Sequence, residues 1–303
     1  MAAWMRLKYP HVVLGALASS APILYFDHII PQDAFYAVVS KDFKDVSQNC
    51  HDVIKKSWSE MDRLSLEKNG LLLLSQAFNT CRELKSVEEL KSRLADFYVV
   101  AAQYDLYPIP DICKSVDQAW KQSNNTLKCL RAALDAIFGT DCFSLDYSIY
   151  SHETEEGWDW QTCSEMVMPL GSSNETMFYP NPFILANFSD SCMRKYGVRP
   201  KADWIISYFG GQDIKLVLKR FGSNIIFSNG LIDPYSSGGV LEDLSDTLVA
   251  LKAQQGSHCF DLYPASGNDP EWLVKIKAEE VKIVAAWLED YYKDLGGLIL
   301  KKV

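Results

Sequence analysis

Residues Asn224–Gly239 read NIIFSNGLIDPYSSGG, and a histidine, His258, follows Asp233 by 25 residues. Ile225, Ile226 and Phe227 form a short apolar run of the kind that makes a buried strand. Asn229–Gly230 breaks that run with turn chemistry, and Asp233–Pro234 closes it. An acid just past a strand end, with a histidine one short crossing later, is how an α/β-hydrolase presents two members of its triad, in the chain order Ser, Asp or Glu, His. In that arrangement Asp233 fixes the tautomer of His258, whose other nitrogen serves as general base and then general acid. Asp233 by itself also reads as an ordinary turn aspartate. The pair gains meaning because Gly256–Ser257 lets the chain turn the His258 ring into a cleft. The other four histidines, His11, His28, His51 and His152, have no partner pattern and read as structural.

The third member of the triad is missing from the pattern. No serine stands in G-x-S-x-G, the small-flanked turn that a nucleophile elbow requires. Ser237 precedes Gly238–Gly239 but lies on the wrong side of the acid. Ser19 and Ser20 follow an expected strand, Val12–Ala18, without the glycines.

Outward from the acid turn, the chain begins and ends in α/β grammar. Met1–Tyr9 reads as an amphipathic helix entering the strand Val12–Ala18. Arg6, Lys8, the apolar run and Ala18–Ala21 imitate a signal peptide, but Gly15 interrupts that run and the helix reading is preferred. Between the two ends lies a helical block: Gln32–Val39, Phe43–Arg63, Leu71–Thr80, Ser86–Gln103, Ile112–Gln122 and Asn125–Phe138 space apolar residues by three and four. Ser86–Glu89 is a capping box. Residues 147–182 are expected to be loop, rich in aromatics. Further on, Ser189–Tyr196, Ile214–Phe221 and Leu241–Asp246 are expected helices. Trp204–Phe209 and Thr247–Ala253 are expected strands, and Trp272–Leu295 is a closing helix. The expected fold class is α/β: a partial α/β-hydrolase fold interrupted by a helical cap. Its domains are 1–33 (hydrolase), 34–140 (cap insertion) and 141–303 (hydrolase, with the triad acid and histidine).

Composition sets the outer limits. The 303 residues are 48% hydrophobic and 23% charged, as in a globular protein. The net charge of −9 argues against nucleic-acid binding, which needs cations for the phosphates. No apolar run reaches the length of a membrane span. Eight cysteines and the sequons at Asn124, Asn174 and Asn187 point together to an oxidising, secretory origin.

The stretches Ala2–Ile23, Trp158–Pro169 (WDWQTCSEMVMP), Phe227–Val240 (FSNGLIDPYSSGGV) and Gly256–Pro270 (GSHCFDLYPASGNDP), with the helical block, resemble the family of lysosomal Pro-X carboxypeptidase and dipeptidyl peptidase II. The resemblance runs in order from about Ala2 to the end, and the carboxypeptidase branch is nearer. It implies a serine exopeptidase cleaving next to proline, with no metal and no cofactor, acting on proline-containing peptides in the lysosome, vacuole or outside the cell. It assigns Asp233 and His258 as triad acid and base. It pairs Cys50 with Cys113, Cys81 with Cys142 and Cys163 with Cys192, leaving Cys129 and Cys259 free. Tyr235 stands where the family often has tryptophan, and Trp158 and Trp160 fall near its pocket. In the family the nucleophile motif G-G-S-Y-G-G lies just before the segment that Ala2–Pro10 matches. This chain is therefore expected to be an N-terminally truncated member, inactive by itself. Two alternatives stand beside that reading. One is a non-catalytic homologue that binds peptides or partners, and is cytosolic with reduced cysteines if made without a signal. The other is dipeptidyl peptidase II-like aminopeptidase activity. A homodimer is allowed and not required.

Overall fold

The computed structural model describes residues 1–146 and 148–300. Tyr147, at the head of the stretch expected to be loop, lies outside the described residues, as do the last three residues of the expected domain 141–303. The chain forms two compact units. One comprises Met1–Ile30, Glu165–Met168 and Pro200–Val303; the other comprises Pro31–Ser164 and Pro169–Arg199.

The first unit opens with helix α1 (Ala2–Lys8) and strand β1 (Ala16–Ser19). Arg6 locks the connection between them. Its guanidinium donates to the carbonyls of Pro10 and Val13 at 2.9 and 2.6 Å, and to the carbonyl and hydroxyl of Ser223 at 2.9 and 2.8 Å. Trp4, on the inner face of α1, stacks on Phe209 at 4.7 Å.

The second unit is helical: α2 (Ala34–Val46), α3 (Gln48–Ser65), α4 (Gly70–Phe78), α5 (Val87–Tyr104), α6 (Ile109–Ser123), α7 (Thr126–Phe138), α8 (His152–Ser164) and α9 (Leu185–Tyr196). Its helix starts follow side-chain chemistry. The hydroxyls of Ser47 and Ser86 and the amide oxygen of Asn125 accept from the third backbone N–H of α3, α5 and α7. The break expected near Ser40 falls at Ser47 instead. Ser40 bonds back to the Tyr36 carbonyl at 2.6 Å and leaves the helix intact, whereas Ser47 caps a new one. Helix α8 stands inside the expected loop. Ser151 caps its first turn, where Glu153 and Glu155 also lie. The core gathers Phe43, Trp58, Phe78, Phe97 and Tyr98, all buried, and the Trp58 indole donates to the Met177 carbonyl at 2.8 Å. Disulfides join Cys50 to Cys113, Cys81 to Cys142 and Cys163 to Cys192. Cys129 and Cys259 are free.

The chain returns to the first unit with α10 (Trp204–Phe209), α11 (Ile214–Phe221), β2 (Ile225–Gly230), β3 (Leu248–Ala253) and α12 (Glu271–Leu300). Trp204–Phe209 is thus a helix and not the expected strand. Its residues have strand propensity, but as a helix Trp204 stacks on Tyr208 at 4.8 Å while Phe209 reaches Trp4. Leu241–Asp246 is not the expected helix. It has only a few residues in which to turn into β3, and the Asp243 carboxylate accepts from the Ala250 N–H at 2.7 Å, holding it as a turn. The sheet runs β1-β2-β3, all parallel, with Ser19 opposite Ser228 and Gly230 opposite Ala253. Residues Ile225–Gly230 are buried throughout, as in a central parallel strand covered on both faces. Among the described residues no helix is long and apolar enough to cross a membrane.

One close approach fixes the working edge of this sheet. A Cβ on Gly230 would lie 2.0 Å from the Gly256 carbonyl oxygen and 2.7 Å from that of Ser257. The end of β2 can touch the segment before His258 only because residue 230 has no side chain.

Gly230→Ala should lower the unfolding free energy by at least about 3 kcal/mol, measured by urea denaturation, because the clash is with backbone that cannot rotate away. Replacing Cys81 and Cys142 together by alanine should cost the helical unit about 4 kcal/mol, from the loop-closure entropy that the bond removes from the unfolded chain. Unfolding of the variant compared with the native chain, without reductant so that the other two disulfides stay closed, checks the second value.

Candidate active site

Parallel strands deliver their C-terminal ends to one edge, and that is where open α/β sheets place ligands. Here the edge holds Ser19 at the end of β1 with Ser20 just past it, the acid turn after β2 and His258 after β3. Pro234–Gly238 forms a single tight helical turn beyond β2, and Asp233 caps it: one carboxylate oxygen accepts from the Tyr235 N–H at 3.0 Å. The other oxygen is 2.9 Å from His258 Nδ1. The Asp233 residue is 0% exposed, while the His258 side chain is 22% exposed. Burial with two hydrogen bonds fixes the acid, and partial exposure leaves the ring accessible. Tyr235 lies beside the imidazole, with ring centroids 5.6 Å apart.

The electrostatics follow from that contrast. Burial by itself disfavours the charged ring. The hydrogen bond to Asp233 and the neighbouring Cys259 side chain more than offset it, and His258 is pushed up to about 10. The charged imidazolium is thereby favoured over the neutral ring. In this state Nδ1 is a donor to Asp233.

The serines at this edge are engaged. Ser20 is buried at a positive φ of 45°, and its hydroxyl accepts from the Cys259 N–H at 2.9 Å. It anchors the residue after His258. Ser237 donates to the Pro234 carbonyl at 2.7 Å, within the capped turn. Ser19 donates to the Asp261 carboxylate. Asp261 and its neighbour Glu280 were not singled out by pattern. A signal was legible for Glu280 alone: it falls on the inward stripe of α12 shared with Ile276 and Trp287, where a charged residue is out of place. Of the other histidines, His11, His28 and His152 are exposed and His51 pairs with its neighbour Asp52 at 2.8 Å. The sequon residues Asn124, Asn174 and Asn187 are exposed. Trp158 and Trp160 lie on α8, 41% and 50% exposed.

A family model, serine carboxypeptidase S28, matches residues 1–280. The chain belongs to that family. Its mixed fold, rich in helices around a small parallel sheet, is consistent with the α/β-hydrolase-like fold and helical cap of S28 peptidases. The chain is 36% identical to lysosomal Pro-X carboxypeptidase of Bos taurus over 312 residues, covering 96% of this chain and 62% of that protein. It is 33% identical to lysosomal Pro-X carboxypeptidase of Homo sapiens over 315 residues, covering 98% of this chain and 62% of the relative. It is 27% identical to prolyl carboxy peptidase like protein 5 of Caenorhabditis elegans over 323 residues, with 96% and 64% covered. This S28 chain thus spans about three fifths of the length of the curated relatives it matches.

Asp233→Asn should return His258 from about 10 toward its ordinary value near 6.5, read by NMR titration of the imidazole nitrogens. The linkage has a definite sign. A group whose proton is held more tightly in the folded state stabilises the fold fully below the unfolded value and loses that contribution as pH rises through the folded one. Unfolding free energy should fall between about pH 6.5 and pH 10, and in Asp233→Asn most of that slope should vanish.

Proposed function

We propose that Asp233 and His258 are the acid and the base of a serine-peptidase triad, in a protein that removes residues next to proline from the carboxyl end of peptides. The observation that carries the reading is the buried Asp233 carboxylate, held by the Tyr235 N–H and bonded to His258 Nδ1 at 2.9 Å. In such a site the acid orients the ring and stabilises the imidazolium. The far nitrogen takes the serine proton and later delivers it to the leaving amine. The names of the similar bovine and human proteins support Pro-X carboxypeptidase action over dipeptide removal from the amino end. Three disulfides, exposed sequons and the lysosomal relatives support a lysosomal or secreted destination.

The 303 residues hold no G-x-S-x-G elbow, and Ser20 is committed to the Cys259 amide. These residues by themselves are inactive in this reading.

The chain alone should neither react with a fluorophosphonate probe nor release the last residue from a peptide ending in Pro-X. Joined in frame to the part of the bovine relative outside the matched region, it should do both. His258→Ala should then lower kcat by about 10⁶-fold, as for triad histidines that act as a unit with the nucleophile. A folded chimera that releases only amino-terminal dipeptides overturns the choice of peptide end. One that cleaves nothing overturns the catalytic reading. His258-dependent cleavage by the 303 residues alone overturns their inactivity.

A further inference from the structure

A second pair of acids lies behind the His258 loop, and neither belongs to the triad. Asp261 sits in the helical turn Phe260–Leu262, three residues after His258, and is 7% exposed. Glu280 projects from α12 and is 6% exposed. Each is held to the sheet by a serine: Ser19, at the end of β1, donates to Asp261, and Ser228, in β2, donates to Glu280 at 2.8 Å. The second Asp261 oxygen is buried and receives nothing from an amide, hydroxyl or cation among the described residues. The Glu280 carboxyl is within hydrogen-bonding reach of Asp261.

Two carboxylates only accept, so this contact bonds only when one of them carries a proton. Ser19 and Ser228 stand opposite each other in the sheet, so the two acids they hold are buried side by side, where two negative charges repel and a proton on Glu280 relieves the conflict. Lys277, one turn earlier on α12, is the cation on this side. It is already divided between the Asp269 carboxylate at 3.5 Å and the Tyr263 carbonyl at 2.8 Å. Burial, with Asp261 adding to it, pushes Glu280 up to about 7 against the opposing pull of the Ser228 hydrogen bond and Lys277.

We propose that Asp261 and Glu280 are positioning residues that share one proton and thereby tie the His258 loop to β1, β2 and α12, so that the loop is held at acid pH and released as pH rises above neutral. The inference stands on the pair's own geometry and not on the peptidase reading. Its readout is conformational, so its failure and that of the peptidase proposal are separable. The loop in question is short and ordered from both sides: Ser20 holds the Cys259 amide, and Asp233 holds the ring of His258. Losing the contact between Asp261 and Glu280 leaves the segment beyond Cys259 fastened by the Ser19 hydroxyl on Asp261, by Phe260, which packs on Trp272 with centroids 5.5 Å apart, and by Lys277 on the Tyr263 carbonyl.

Glu280→Gln tests this. The amide is neutral at every pH and donates to Asp261, so it mimics the protonated form permanently. Hydrogen exchange of the 256–263 amides is compared between the native chain and the variant at equal pH, where intrinsic exchange rates cancel. At pH 5 the two should match. At pH 7.5 the native chain should exchange at least about 10-fold faster than the variant. Between pH 5 and pH 6.5 the native Tm should fall by about 3 °C, and the variant's should not, since a proton bound more tightly in the folded state stabilises less as pH rises. Asp261→Asn repeats the test from the other partner if Glu280→Gln does not fold. Equal exchange at pH 7.5 overturns the proposal, and so does a difference already present at pH 5, which would make the contact merely structural.

Discussion

Everything at the working edge of the sheet depends on backbone meeting backbone at Gly230 and Gly256. Hydrogen bonds carry the contact onward: the Leu231 N–H donates to the Ala253 carbonyl at 2.8 Å and the Ile232 N–H to that of Gly256 at 3.3 Å. The ladder between β2 and β3 thus continues past both strand ends, into the segments that hold Asp233 and His258. A side chain at residue 230 would push those segments apart, and a carboxylate and an imidazole separated by an extra ångström or two no longer share a proton usefully. The geometry of the Asp233–His258 pair is a consequence of strand register plus one missing Cβ.

That dependence explains what could be read from the residues. The acid turn and the histidine were legible because each is local chemistry: a buried apolar run, a turn, an acid, and a glycine beside a histidine. The helical block was legible because apolar spacing repeats over many turns. Trp204–Phe209 was not, since WIISYF has strand propensity and only packing reveals the helix, with Trp204 stacked on Tyr208 and Phe209 on Trp4. Helix α8 was hidden for the opposite reason. Aromatic and acidic residues dominate it, so its apolar periodicity is weak, and its anchors are a serine cap and a disulfide. The Asp261–Glu280 pair needs the third dimension altogether, because its members are 19 residues apart on different elements.

The two acid groups at this edge answer the same problem differently. Asp233 is fully buried, and both of its oxygens are engaged: His258 meets one and the Tyr235 backbone N–H the other. Asp261 and Glu280 have hydroxyls and each other, with the nearby cation occupied elsewhere. A buried carboxylate without a counter-charge takes up a proton in preference to bearing the desolvation cost. The first group therefore binds its partner more firmly as an ion pair, and the second group holds together as an acid and its conjugate base.

Both arrangements draw stability from bound protons, and both lose it in the same direction. His258 holds its proton more tightly folded than unfolded, and so does Glu280. Raising the pH therefore works against the folded edge twice, first at the carboxyl pair and then at the imidazolium. An edge built this way is firmest where protons are plentiful. The bovine and human relatives carry the word lysosomal in their names, and firmness at low pH is the physical property an acidic compartment rewards. It also separates rigidity from reactivity. A neutral imidazole is needed to accept a proton from a nucleophile, whereas the fold of the loop that carries it is best served by protonated groups. The two requirements pull in opposite directions, so in the proposed peptidase any group that lowers the affinity of His258 for its proton brings the release of that proton toward the pH range in which the loop is still tied.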